Sequence, residues 1–226
     1  MARYEQSMTQ QPEAATISRR AYNLLTYGIV TLSFIVTWGM YNFVEDGGLG
    51  RIFTNMNPIL YLVIYLTGSI GGIIIMSVGK RKQSVPVSLI GLLLFTFTFG
   101  GSLSIILTRY NIGTITNAFA ITACVSGIFL IAGVTFPEVF AKIGRVLVIA
   151  LIAIIITEIV ATMFFHVHQT IFDYLVILIF CGFLGYDSYR MSIDRPTVPN
   201  AIFYAADIYI DMVNILIRVL NILDRR

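Results

Sequence analysis

Three carboxylates near the end of the chain lie where hydrocarbon would make them costly: Asp187 within LIFCGFLGYDSYRM, and Asp207 and Asp211 within AADIYIDMVNILIRVL. An ionised carboxylate inside a bilayer is penalised by several kcal/mol, so such groups ordinarily face a bundle interior or a water-filled path. Two carboxylates that meet across a helix pair share a proton and titrate as one unit. The chemistry on offer is a pH-sensitive cation site. Asp207 and Asp211 are one helical turn apart and share a face, with Asn214 and Arg218 continuing the same line. Ile208, Val213, Leu216, Val219 and Leu220 occupy the other faces. The pattern predicts a central helix, polar toward a cavity and apolar toward its neighbours.

Each of these acids has a plainer reading. Asp187 is followed at i+3 by Arg190 and could form an interfacial ion pair with it, while Asp207 could be a boundary charge near a helix start. The loop between the two segments is short, so an antiparallel hairpin follows, but Asp187 lies closer to that loop than Asp211 does. Tilt, or an offset at Pro196 and Pro199, would be needed to bring the two level. Glu158, deep in ALIAIIITEIVATMFF, is either a second proton or cation group or one end of an interhelical hydrogen bond. His166 and His168 read as an exposed loop rather than a metal site. Cys124 and Cys181 lie inside apolar segments and read as small apolar residues.

The elements that must position these groups are membrane helices. The chain has 226 residues, of which 57% are hydrophobic and 12% charged, and its mean hydropathy is +0.84. Soluble domains carry about twice that share of charge. The expected fold is all-α: a polytopic membrane protein of seven transmembrane helices with the last one central. The spanning runs fall at 24–44, 59–78, 87–107, 116–136, 146–165, 171–191 and 202–223. Residues 1–20 read as a cytoplasmic tail without a cleavable signal, and 21–226 as the helical domain. With the N-terminus inside, ten Lys and Arg fall on the cytoplasmic side and five outside, counting the C-terminal end with the outside set. The tail LDRR argues against a C-terminus outside, which leaves open a final hairpin returning to the cytoplasm. The net charge of +3 sits at the ends of apolar runs and does not indicate a nucleic-acid partner. Gly68 with Gly72, and Gly182 with Gly185, read as small-residue faces for close helix packing.

GYDSYRM at 185–191 and AADIYIDMVNILIRVLNIL at 205–223 resemble the sixth-helix aspartate and the closing helix of the Bax inhibitor-1 family. FGGSLSIIL at 99–107 and the stretch 117–147 are similar to that family's third and fourth helices and the loop after them. The resemblance implies a Ca²⁺ leak of a bacterial inner membrane, gated by protonation of an aspartate pair. By motif position the pair is Asp187 and Asp211, which would also be the Ca²⁺ ligands. Asp207, Asn214 and Glu158 are then candidates for the ion pathway. Some family members carry a basic latch at the end of the second helix, where this chain offers Lys80 or Arg81 in SVGKRKQS. A lysine there lacks the guanidinium fork. Ca²⁺ and protons are the expected cargo, no cofactor is implied, and no enzymatic activity is expected. Two other functions fit the residues less well. One is an interaction protein that modulates a membrane protease of the FtsH type or a stress response without transport. The other is an intramembrane aspartyl protease, whose GxGD motif is absent from IYID at 208–211.

Overall fold

The computed structural model describes residues 15–45, 56–165 and 170–225. The described residues are all-helical outside their connections and form seven helices: α1 (Arg19–Glu45), α2 (Pro58–Lys82), α3 (Val85–Leu107), α4 (Ile112–Thr135), α5 (Pro137–Phe165), α6 (Thr170–Ile193) and α7 (Val198–Asp224). His166 and His168 lie outside the described residues.

The sequence signals that start and stop these helices are local. Asn57 caps α2 by accepting a hydrogen bond from the Ile59 N–H at 2.9 Å, with Pro58 in the first turn. Asn111 caps α4 in the same way from the Thr114 N–H at 2.8 Å. α2 ends at Gln83, whose left-handed backbone (φ 51°) turns the chain into α3, and Lys80, Arg81 and Lys82 stand at its negative dipole end. α3 is interrupted by a π-helical turn at Thr96–Gly100, which the uninterrupted apolar run did not announce. The segment FPEVFAKIGR, read from its polarity as a loop, is instead the first turns of α5. Pro137 is pre-set for a helix start, Phe136 before it is held out of helical geometry, and Phe140 buries its ring.

Among the described residues, six helices, α1 to α6, are long and apolar enough to cross a membrane. α7, with 27 residues, is not among them, and its apolar run carries Asp207, Asp211, Asn214 and Arg218. Most of the apolar side chains of α7 are nonetheless buried, including Ile202, Ile208, Tyr209, Ile215, Leu216 and Leu220.

The chain forms two compact units. The first comprises Met1–Ile105 and Asp194–Ala206, and the second Ile106–Ile193 and Asp207–Arg226. In the first, α2 and α3 form a hairpin held by a glycine seam. A Cβ on Gly72 would stand 2.9 Å from the Gly91 carbonyl oxygen, and one on Gly91 2.6 Å from the Met76 nitrogen. In the second, α4, α5 and α6 pack on small residues. A Cβ on Gly133 would overlap the Gly185 carbonyl, and one on Gly185 would overlap the Phe140 ring. Ser188 then donates to the Leu130 carbonyl at 2.7 Å, joining α6 to α4. Glycine here permits the backbone approach on which dispersion contacts between membrane helices depend.

Gly133 meets backbone, which has no rotamer through which to yield. Gly133→Ala should therefore lower the unfolding temperature in detergent, with a cost of about 1–3 kcal/mol. Gly127→Ala, on the same helix and with nothing within 4 Å of the added carbon, should leave it unchanged or slightly raised.

Candidate functional site

The carboxylates singled out in the sequence come together in the second unit. α7 groups with that unit from Asp207 onward, and this is where it meets the end of α6. Asp211 is 5% exposed and Asp187 6%. The side chain that faces the Asp211 carboxyl at hydrogen-bonding range is the Asp187 carboxyl, and Asp207 adds a third negative charge. The Asp211 Oδ2 is buried and accepts no hydrogen bond. Arg190 Nη1 donates to Asp187 Oδ1 at 3.1 Å and stands 3.8 Å from Asp207 Oδ2. The i,i+3 pair anticipated between Asp187 and Arg190 is therefore present, together with the two-carboxylate contact rather than in place of it. The cluster holds three carboxylates and one guanidinium, which touches Asp187 and Asp207, so these four side chains carry an excess of negative charge wherever all three acids are ionised.

Asn214 donates its amide to the Ile210 carbonyl at 2.8 Å, a bond within its own helix. Among the described residues, no three His, Cys, Asp or Glu side chains stand close enough to hold a metal ion together. Asp187 and Asp211 together offer two carboxylates, well short of the six to eight oxygens that Ca²⁺ takes.

Glu158 takes the second of its two anticipated roles. Arg218 grips it through both fork nitrogens, Nη1 to Oε1 at 2.7 Å and Nη2 to Oε2 at 3.0 Å. The same Nη1 donates to Asp173 Oδ1 at 3.0 Å. Asp173, fully buried, is a member of this network that the sequence reading missed. It also receives a long bond from the Asn221 amide at 3.5 Å. Arg225 Nη1 lies 3.1 Å from its Oδ2, an ion contact without hydrogen-bond alignment. Tyr110 donates to Asn221 Oδ1 at 2.7 Å. Burial, then the charge of Asp224, raises the Tyr110 phenol above its ordinary range, which keeps it a neutral donor. A signal for Asp173 existed: an acid four residues into α6, inside an otherwise apolar run.

The two basic residues considered as a latch belong to the first unit. Lys80 Nζ bonds Asp194 Oδ2 at 2.8 Å and sits over the Tyr204 ring, 4.0 Å from its centroid. Tyr204 donates to the same Asp194 oxygen at 2.8 Å. Arg81 is exposed. Cys124 and Cys181 are free thiols, exposed and buried respectively.

A family model described as "Inhibitor of apoptosis-promoting Bax1" matches residues 14–226. The chain belongs to the Bax inhibitor-1 family. It is similar to "Inner membrane protein YbhL" of Escherichia coli, 25% identical over 96% of this chain and 95% of that one. It is equally similar to "Bax inhibitor 1" of Schizosaccharomyces pombe, 25% identical over 97% and 86%. The "Golgi anti-apoptotic protein" of vaccinia virus is also 25% identical, over 91% and 86%. These relatives are named as membrane or anti-apoptotic proteins, not as enzymes. No solved structure matches the chain significantly.

Asp194 lies outside the spans and gives a prediction with a definite sign. Burial alone would raise its pKa, but hydrogen bonds from Lys80, Tyr204 and the Arg195 N–H, with the Lys80 charge, outweigh burial and hold it below the ordinary value of 3.8. A depressed folded-state pKa stabilises above the unfolded value, and that stabilisation fades as pH falls through the folded one. Asp194→Asn should therefore cost about 0.5–1 kcal/mol at neutral pH, as expected for a half-exposed pair. In melting curves followed against pH, wild type and variant should converge once the medium is well below pH 3.8.

Proposed function

We propose that this chain is a cation leak of a bacterial inner membrane, with Ca²⁺ as cargo and protonation of the Asp187–Asp211 pair as its gate. The observation that carries the reading is the Asp211 carboxyl, buried and turned to another carboxyl rather than to a base. Two such groups are stable together when one proton lies between them, and each proton gained or lost changes the charge that a passing cation meets. With the proton shared, the two side chains hold each other and the local excess charge is small. With both ionised, they repel and attract a cation. Two carboxylates with backbone carbonyls bind Ca²⁺ weakly enough to release it, as conduction requires.

Asp207 and Arg190 bias the pair without belonging to it. Arg190 pairs with Asp187 and is divided between that residue and Asp207. A salt bridge so shared holds neither partner fully. The N-terminus is taken as cytoplasmic from the distribution of Lys and Arg.

A second reading, an interaction protein without transport, draws on the printed names of the viral and yeast relatives, which refer to apoptosis rather than to ions. The two readings separate cleanly. Purified protein in liposomes loaded with a Ca²⁺ indicator should show a pH-dependent influx. Asp211→Asn should lower that influx several-fold and flatten its dependence on pH. Unchanged flux in the variant, or no flux above empty liposomes in the wild type, removes the leak and leaves the interaction reading.

A further inference from the structure

The polar face of α7 does not stop at the aspartate pair. Asp207, Asp211, Asn214, Arg218, Asn221 and Arg225 follow one another at spacings of four, three, four, three and four. At 100° per residue they stay within an arc of about 80°. At 1.5 Å per residue they extend over about 27 Å, close to the thickness of a hydrocarbon core. The two halves of this stripe are charged differently. The first meets Asp187 and Arg190 and holds excess negative charge. The second meets Glu158 and Asp173 and is balanced, two acids against Arg218 and Arg225. All of these residues belong to the second unit.

We propose that Arg218 is the electrostatic barrier of the cation path along α7, and that Glu158 and Asp173 set its height by how fully they neutralise it. The inference rests on the leak reading. A cation following the polar face from the aspartates must pass the Arg218 guanidinium, which is fixed by three hydrogen bonds to two acids of different helices. A fixed positive charge in a region of low dielectric repels a divalent ion strongly. The two acids screen that charge, and the bidentate grip of Glu158 holds the guanidinium on the stripe. Asp173 has no exposure to water, so its charge acts on Arg218 and Arg225 rather than on bulk ions. The barrier is therefore adjustable in both directions by altering the balance at one place.

That balance provides a test in which sign matters. Full-length protein is reconstituted in liposomes and Ca²⁺ influx is followed at fixed pH. Arg218→Gln should raise influx several-fold, and Arg218→Lys should bring it back toward wild type. The double variant Glu158→Gln with Asp173→Asn leaves the cations unscreened and should lower influx several-fold. Influx falling in both, or unmoved in both, overturns the proposal, since a purely structural network responds alike to either loss. Should Arg218→Gln fail to fold with its acids unpaired, the triple variant Glu158→Gln, Asp173→Asn and Arg218→Gln keeps neutral hydrogen-bonding groups in place. Influx in the triple variant above that of the double variant supports the barrier, and influx no higher than that of the double variant overturns it. Asp211→Asn is measured alongside. If it has no effect while the charge variants still move influx in opposite senses, the aspartate gate fails and the barrier stands. If it lowers influx while the charge variants do nothing, the gate stands and the barrier fails.

Discussion

Charge that cannot reach water must find its counterpart within the protein, and in this chain the counterparts converge on one helix. α7 carries both signs of charge on a single face, and α5 and α6 supply the partners: Glu158 and Asp173 for Arg218, Arg190 for Asp207. A helix with that face turned to lipid would leave several ionised groups unsolvated, at a cost no apolar contact on its other side could offset. Burial of α7 is therefore a consequence of its polar residues as much as of its isoleucines and leucines. The same requirement constrains α5 and α6. Among the described residues of α5 and α6, Glu158 and Asp173 are buried or nearly buried acids that Arg218 neutralises. Their helices must lie where its guanidinium can reach both.

Small residues make that convergence sterically feasible. The backbones of α4 and α6 approach at Gly133 and Gly185, and the ring of Phe140 lies over Gly185. α6 is thus held by packing two residues before Asp187, the acid that faces α7. Ser188, one residue after it, is fixed by its bond to the Leu130 carbonyl. The position of Asp187 is accordingly set from both sides by contacts that carry no charge. This matters for a titrating pair: the separation of two carboxyls is what decides whether one proton or two are held. A loosely packed α6 would let them drift apart.

How much of this was legible in the sequence depends on the kind of information each feature needs. Asp187, Asp207 and Asp211 could be found because an acid in an apolar run is conspicuous by itself, and the shared face of 207, 211, 214 and 218 follows from helical periodicity. Gly72 and Gly185 were visible as small residues on a helix face, while their partners Gly91 and Gly133 were not singled out. What was not legible is pairing between remote segments. Glu158 and Arg218 are 60 positions apart, and nothing local in either selects the other. Asp173 was hidden by its place near the start of a run, where an acid resembles a boundary charge, and Arg225 by its place in a basic tail. The stripe was consequently followed only as far as Arg218. The α5 start was misjudged because polarity within 136–145 outweighed the proline that pre-forms a helix. The seventh run is the reverse case: its length of 27 residues fits a crossing, yet α7 is not among the helices apolar enough to span.

The unequal charge of the two halves of α7 bears on how a site with so few ligands can work. Two carboxylates cannot replace the hydration shell of Ca²⁺. They need not, if the ion is drawn by net field rather than by a cage. Three acids against one arginine supply such a field at the Asp211 end. At the Arg218 end the acids are spent on fixed cations, and the field is small. On the leak reading, an ion that enters would be held weakly, by charge more than by geometry, and would find no second deep well along the same face. Such a path would conduct without the ligand cage of a selective channel. The same asymmetry explains why protonation would act as a gate here: removing one negative charge from three changes the field in proportion far more than it would in a site crowded with ligands.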